Sequence, residues 1–275
     1  MDATTLFSEI KKKQSFLCIG LDVDLEKIPT HLLASDDPVF EFNKAIVDAT
    51  HHLAVAYKPN LAFYEAIGTS GLKSLQKTTH YIKEHHPELF LIADAKRGDI
   101  GNTAKMYAKA VFEHYAFDAV TLSPYMGHDS ILPFLEYPGK YAIILGVTSN
   151  AGADDFQFIE TRHGTPLFME IIRKATHWGT ADQLMFVVGA TRPEILTQVR
   201  KVAPNYFLLI PGVGAQGGDL KSVAEHGLTD QCGLLVNSSR GIIYAGNDEN
   251  FAIAAQQAAG ELQQQMAVVI SSLPK

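Results

Sequence analysis

The chain has 275 residues, long enough to bury a substantial core in one large domain or two small ones. Hydrophobic residues make up 47% and charged residues 19%, with no low-complexity tract, which excludes a largely disordered chain. The net charge of −7 disfavours non-specific binding to nucleic acid or an anionic membrane, so any phosphate site must be local.

The N-terminal "KKKQSFLCIGLDVD" has too short an apolar part for a signal peptide and runs directly into Asp22 and Asp24, so it reads as a helix end followed by a strand. No apolar run approaches the roughly 20 residues of a membrane helix. From here short apolar runs recur. They are "FLCIGLD" at Phe16, "LAVAYKPN" at Leu53, "LFLIADAK" at Leu89 and "AVTLSPY" at Ala119, then "YAIILGVTS" at Tyr141, "LMFVVGA" at Leu184, "YFLLIPGVG" at Tyr206 and "GLLVNSSRG" at Gly233. Each is strand-length and apolar at neighbouring positions, as parallel strands covered on both faces require.

Helical patterns separate them. "DDPVFEFNKAIVDATHHL" sets Pro38 at a helix start behind an Asp cap and repeats Val39, Phe42, Ile46, Ala49 and Leu53. "TAKMYAKAVFEHYAF" repeats Ala104, Tyr107, Ala108, Val111, Phe112 and Tyr115; "TPLFMEIIRKATHWG" repeats Leu167, Ile171, Ile172 and Ala175; "NFAIAAQQAAGELQQQMAVVISSL" reads as a last long helix. Eight strand-then-helix units predict an α/β fold of the (β/α)8 TIM-barrel type, with residues 1–275 as a single domain. An open, doubly wound sheet is the alternative, because strand count does not show closure. Cys18 and Cys232 each lie beside an apolar run and are expected to be free, buried thiols of a cytoplasmic protein, in preference to a disulfide.

Polar residues fall at the ends of the runs: Asp22, Lys58, Asp94, Ser149, Gly212 and Arg240. In a (β/α)8 barrel that rim carries the active site, which points to an enzyme. Taken singly, each could also be a strand-ending polar residue or helix cap.

"DAKRGDIGNT" packs Asp94, Lys96, Arg97 and Asp99 into six residues behind a buried strand. Alternation puts Phe90, Ile92, Asp94 and Lys96 on one face, aimed at the inner rim. A strand-end ion pair with a helix cap is the plain structural explanation, but a buried ion pair adds little net stability. A Schiff-base role for Lys96 needs a depressed pKa, and neighbouring carboxylates do the opposite. A magnesium site would use Asp94 and Asp99, yet Lys58 ends the second strand where a further carboxylate would be wanted. The remaining chemistry is metal-free: carboxylates crowd a negative group on the substrate, and a fixed ammonium protonates the carbanion left when that group departs. A decarboxylase fits. The 11 histidines form no helix-spaced metal pair, and the "HH" pairs at His51 and His86 read as exposed helix decoration.

After the seventh strand, "PGVGAQGGD" offers backbone N–H groups through Gly212, Gly214, Gly217 and Gly218; after the eighth, "NSSRG" offers Ser239 and Arg240. Those two loops are the common phosphate site of this fold, and Arg supplies bidentate donors. With no GxxxxGK pattern, a monophosphate is expected rather than a nucleoside triphosphate.

"DAKRGDIGNT" contains the complete D-x-K-x-x-D-I-x-x-T motif and resembles the orotidine 5'-phosphate decarboxylase family. "GLDVD", "YKPN", "SPYMGHDSILPF", "VTSNAG", "VVGATRPEIL", "PGVGAQGGD" and "NSSRGIIYA" are similar, in this order, to its longer bacterial-type branch. The resemblance implies decarboxylation of orotidine 5'-phosphate to UMP, the last step of pyrimidine synthesis, without cofactor or metal. It implies that Lys96 protonates C6, that Asp94 sits against the scissile carboxylate, and that Lys58 joins the charge network and the ribose hydroxyls. Asp22 would bind ribose, Ser149 the pyrimidine, and Gln216 and Arg240 the phosphate, beside the Gly214 and Ser239 that the two loops offer. It further implies a homodimer in which Asp99 and Thr103 complete the partner's site. Two positions depart from the pattern, Ala151 for a frequent proline and Ser239 for a frequent glycine, and neither removes a charge. A magnesium-dependent sugar-phosphate enzyme of the same superfamily and a non-catalytic nucleotide-binding barrel are the competing expectations.

Overall fold

The computed structural model describes residues 1–189, 192–212 and 219–273. All eight apolar runs form strands: β1 (Leu17–Gly20), β2 (Ala56–Lys58), β3 (Phe90–Arg97), β4 (Ala119–Leu122), β5 (Tyr141–Val147), β6 (Leu184–Val188), β7 (Phe207–Pro211) and β8 (Leu234–Ser238). They pair parallel in chain order, and β8 pairs with β1 to close the barrel, which excludes the open sheet.

Register sorts the strand residues into two sets. One contains Cys18, Ala56, Phe90, Ile92, Ala119, Tyr141, Ile143, Met185, Phe207, Leu209 and Asn237, and the same parity carries Lys58, Asp94 and Thr121. This set faces the barrel axis, because its upper members line a common cavity. Below, Phe90 and Tyr141 meet edge to face with ring centroids 5.6 Å apart and close the axis with apolar bulk. The other set is apolar as well and packs under the helices, which is why the strands read as unbroken hydrophobic runs.

Among the described residues the α-helices are α1 (Ala3–Lys13), α2 (Pro38–Thr50), α3 (Leu61–Ala66), α4 (Thr69–His85), α5 (Gly101–Lys109), α6 (Leu132–Leu135), α7 (Leu167–Ala175), α8 (Pro193–Val202), α9 (Leu220–Gly227), α10 (Arg240–Ile243) and α11 (Phe251–Ser271). At the start of α2 the Asp37 carboxylate accepts the Phe40 N–H at 3.2 Å, and Pro38 occupies the first turn, where no N–H is needed. Its buried face is Val39, Phe42, Ile46 and Val47. Phe42 stacks on Phe251 of α11, so the last helix packs beside the first strand–helix unit.

The expected helix faces hold with exceptions. Ala104, Ala108, Val111 and Phe112 are buried, but Tyr107 is exposed and serves as a platform for the Arg97 guanidinium, 5.3 Å from its ring. In α7 the fully buried residues are Phe168, Ile172 and Ala175, while Leu167 and Ile171 lie at the margin. Cys18 and Cys232 are free and buried, and burial pushes both thiols up to about 12.

Candidate active site

At the C-terminal mouth of the barrel is a cavity of about 220 Å³ lined by Lys58, Asp94, Lys96, Thr121, Ser149 and an apolar wall of Leu145, Val187, Leu209 and Pro211, with Thr148 and Asn150 at its edge. Lys58 ends β2, and only 5% of its side chain is exposed. Its ammonium lies 2.8 Å from Asp94 Oδ2, and the Lys96 ammonium lies 2.5 Å from Asp94 Oδ1. Burial alone would push the Lys58 pKa down, but the facing Asp94 and Asp22 carboxylates outweigh it and hold the ammonium above the ordinary lysine value. Burial would raise Asp94, yet Lys58 and Lys96 together hold its carboxyl well below the usual carboxylate range. Lys58 and Asp94 are therefore both charged at neutral pH.

The reach of Lys96 does not follow from simple alternation. The β3–β4 register shifts between Ala93 and Arg97, and Lys96 has φ +47, in the left-handed region. For a non-glycine residue that backbone costs about 1–2 kcal/mol, which surrounding contacts must offset. The bulge separates neighbouring motif residues: Lys96 turns to Asp94, while Arg97 pairs with Glu65 of α3 and lies over Tyr107. Arg97 is thus a structural clamp outside the cavity.

Asp22 lies in the segment after β1, which two tyrosines fix. Tyr244 donates its hydroxyl to the Asp22 carbonyl at 3.0 Å and accepts the Asp24 N–H at 2.7 Å. Tyr64, itself held by Asn43, donates to the Leu21 carbonyl at 2.8 Å. Asp22 Oδ1 is buried with no hydrogen-bond partner among the described residues, as is Asn237 Oδ1 on β8. A buried acceptor left open in this way suits a ligand hydroxyl or N–H.

Ser149, at the cavity, packs directly on Gly189, the residue that follows β6. A Cβ on Gly189 would lie 2.9 Å from the Ser149 nitrogen and 3.0 Å from its Cβ, too close for any side chain. A similar fit operates across β1 and β8, where a Cβ on Gly20 would fall 1.8 Å from Ser239 Oγ. Ser239, which departs from the family pattern, therefore occupies space that Gly20 vacates. Arg240 is exposed at the start of α10. The other departure, Ala151, begins an exposed 3-10 turn over Ala151–Asp155.

Asp99 and Thr103 do not line this cavity. Asp99 accepts the Ile100 N–H at 2.8 Å, and Thr103 is exposed on the first turn of α5. Gly214, Gln216, Gly217 and Gly218 lie outside the described residues. Sequence reading missed Thr121 and Asn237; each is the lone strong hydrogen-bonding side chain at an inward position of an apolar strand, and that parity is the signal that could have found them.

The histidine reading needs correction. His51 and His86 are half-buried and stacked, with ring centroids 4.0 Å apart, because the C-terminal ends of α2 and α4 meet there. With Glu88 they bring donor atoms within 4.8 Å of one another. Lys13 already sits among these groups: its ammonium is 3.6 Å from Glu88 Oε1 and donates to the His51 and Ala54 carbonyls at 2.8 and 3.0 Å. That cation opposes a metal ion, and burial, with His86, His52 and Lys13 nearby, lowers the His51 pKa.

A closed (β/α)8 barrel with an alternating charge row lining a cavity at its C-terminal mouth defines a barrel enzyme acting on a small ligand. The sequence pattern described as Orotidine 5'-phosphate decarboxylase / HUMPS family matches residues 15–255, and the chain belongs to that family. It is 57% identical over 267 residues to the orotidine 5'-phosphate decarboxylase of Parabacteroides distasonis, covering 97% of this chain and 95% of that one. The Bacteroides fragilis protein of the same name is 54% identical, covering 99% and 100%. Among solved structures, Leishmania donovani OMP decarboxylase superposes with a TM-score of 0.85 at 35% identity, covering 99% of this chain and all of that one. Leishmania donovani UMP synthase gives 0.86 at 36% identity, and there the match covers 98% of this chain but only 56% of the longer protein.

Proposed function

We propose that the protein decarboxylates orotidine 5'-phosphate to UMP and CO2 without a metal or cofactor. The observation that carries this reading is the Lys58–Asp94–Lys96 row, with ion-pair distances of 2.8 and 2.5 Å at the cavity. Asp94, held ionised, faces the substrate carboxylate, and like charges at close range raise the energy of the bound state. As the C6–carboxylate bond breaks, its electron pair stays on C6 and CO2 departs. The Lys96 ammonium stabilises that pair, gives C6 a proton, and recovers one from solvent. Lys58 keeps Asp94 ionised and reaches toward the ribose hydroxyls.

In the same reading Asp22 accepts a ribose hydroxyl, Ser149 contacts the pyrimidine, and Gly214, Gln216, Ser239 and Arg240 hold the phosphate. The apolar wall of Leu145, Val187, Leu209 and Pro211 lets the departing CO2 leave a water-poor site. Asp99 and Thr103 complete the site of a second copy. Support for this dimer comes from the exposed apolar side chains of Ile100 and Met106, which flank Thr103 in the chain, since exposed apolar groups beside a site suit a subunit contact. The free, buried cysteines fit a cytoplasmic location.

The family description spans more than one chemistry, and the magnesium-dependent sugar-phosphate reading is disfavoured by Lys58. An ammonium 2.8 Å from Asp94 Oδ2 occupies the side of the carboxylate a metal would need. Loss of pyrimidine absorbance on mixing protein with orotidine 5'-phosphate, with and without EDTA, tests the assignment. Turnover to UMP in both arms supports it; no turnover by a folded dimer overturns it.

A further inference from the structure

Thr121 is a buried hydroxyl on β4 whose side-chain hydrogen bonds, among the described residues, all go to the catalytic segment of β3. Its Oγ1 accepts the N–H of Ala95 at 2.9 Å and that of Lys96 at 3.0 Å, and lies 3.1 Å from Asp94 Oδ1. A threonine hydroxyl has two lone pairs and one proton. With both lone pairs engaged, the proton has two acceptors in range, Asp94 Oδ1 at 3.1 Å and the Ala93 carbonyl at 3.5 Å, and the ionised carboxylate is both nearer and stronger. These contacts fall where the β3–β4 register slips and Lys96 adopts φ +47. At a bulge the backbone N–H groups lose their regular partners on the next strand, and here one side chain replaces them.

We infer that Thr121 is the positioning residue of the charge row: it holds the β3 bulge that turns Lys96 toward Asp94, and it fixes the Asp94 carboxylate while Lys96 is free to move. This deepens the decarboxylase reading and rests on it. Lys96 Nζ and Thr121 Oγ1 share Asp94 Oδ1. When the ammonium gives its proton to C6, Thr121 still donates to that oxygen, so Asp94 does not follow the lysine.

The test compares Thr121→Val, which keeps the shape and removes the hydroxyl, with Thr121→Ser, which keeps the hydroxyl. T121V is expected to lower kcat roughly 10- to 100-fold, the effect of an ångström-scale displacement of a reacting group, with KM changed less than about threefold. T121S is expected to restore most of that loss. Independently of turnover, amide hydrogen exchange at Ala95 and Lys96 should accelerate in T121V and stay slow in T121S, with both variants melting cooperatively. A T121V enzyme with wild-type kcat, or equal losses in both variants, overturns the inference. If the wild type itself does not turn over orotidine 5'-phosphate, the decarboxylase reading fails, while unchanged exchange in T121V would separately remove the positioning role.

Discussion

Asp94→Asn probes the charge row through stability as well as rate. The Lys58 and Asp94 side chains are 5% and 11% exposed and form a 2.8 Å pair. Neutralising Asp94 leaves a buried ammonium facing only Asp22. Breaking a buried pair from one side costs about 3–5 kcal/mol, and the remaining Asp22 attraction places the expected cost near the low end, about 3 kcal/mol. Lys96 adds little to this, because its side chain is 52% exposed and water screens it. For a chain of this size about 3 kcal/mol lowers Tm by roughly 6–12 °C. Thermal unfolding followed by circular dichroism at pH 7 reads the shift. Lys58→Met combined with D94N removes both members of the pair and should recover part of the loss, the remainder coming from Asp22, which loses the ammonium it faces. A D94N protein melting within about 2 °C of wild type, or a double variant with fully additive losses, would refute the reasoning.

Lys96→Ala should lower kcat by roughly 10³-fold or more and leave the melting curve near wild type; retention of most activity in a steady-state assay would remove the proton-donor role. Arg240→Ala should raise KM roughly 10- to 100-fold, the loss of a charged hydrogen bond, with a smaller change in kcat, since the contact is remote from C6; an effect on kcat alone would contradict the phosphate assignment. The pH dependence follows from opposite shifts. The lowered pKa of Asp94 gives stabilisation that is present above about pH 4 and lost only as pH falls through its folded value, and the raised pKa of Lys58 gives stabilisation present below about pH 10 and lost as pH rises through its folded value. Both groups stay charged from about pH 5 to 9, so a kcat profile over that range should be flat, and an inflection near neutrality would show that another group governs the step.

The strands were legible because parallel strands covered on both faces leave continuous apolar runs, and the tight Asp37-Pro38 start of α2 is encoded locally. Closure was not, since the β8–β1 pairing joins residues more than two hundred positions apart. That Lys58, Asp94 and Lys96 meet at one cavity was foreshadowed because charges at the ends of buried strands have few structural explanations. The bulge at Lys96 escaped the alternation rule, which assumes one regular backbone conformation along the strand. Thr121 was hidden for another reason: a threonine suits any strand by its β-branch, and only its inward parity beside Asp94 gives the hydroxyl meaning. The stacked His51 and His86 depend on two helix ends meeting in space, which no local pattern records.

The most direct test of the account is turnover of orotidine 5'-phosphate in deuterium oxide with EDTA present, with the product examined by mass and NMR. The account predicts UMP carrying one deuterium at C6, formed at the same rate with and without the chelator. Absence of UMP, or turnover that EDTA abolishes, would contradict it.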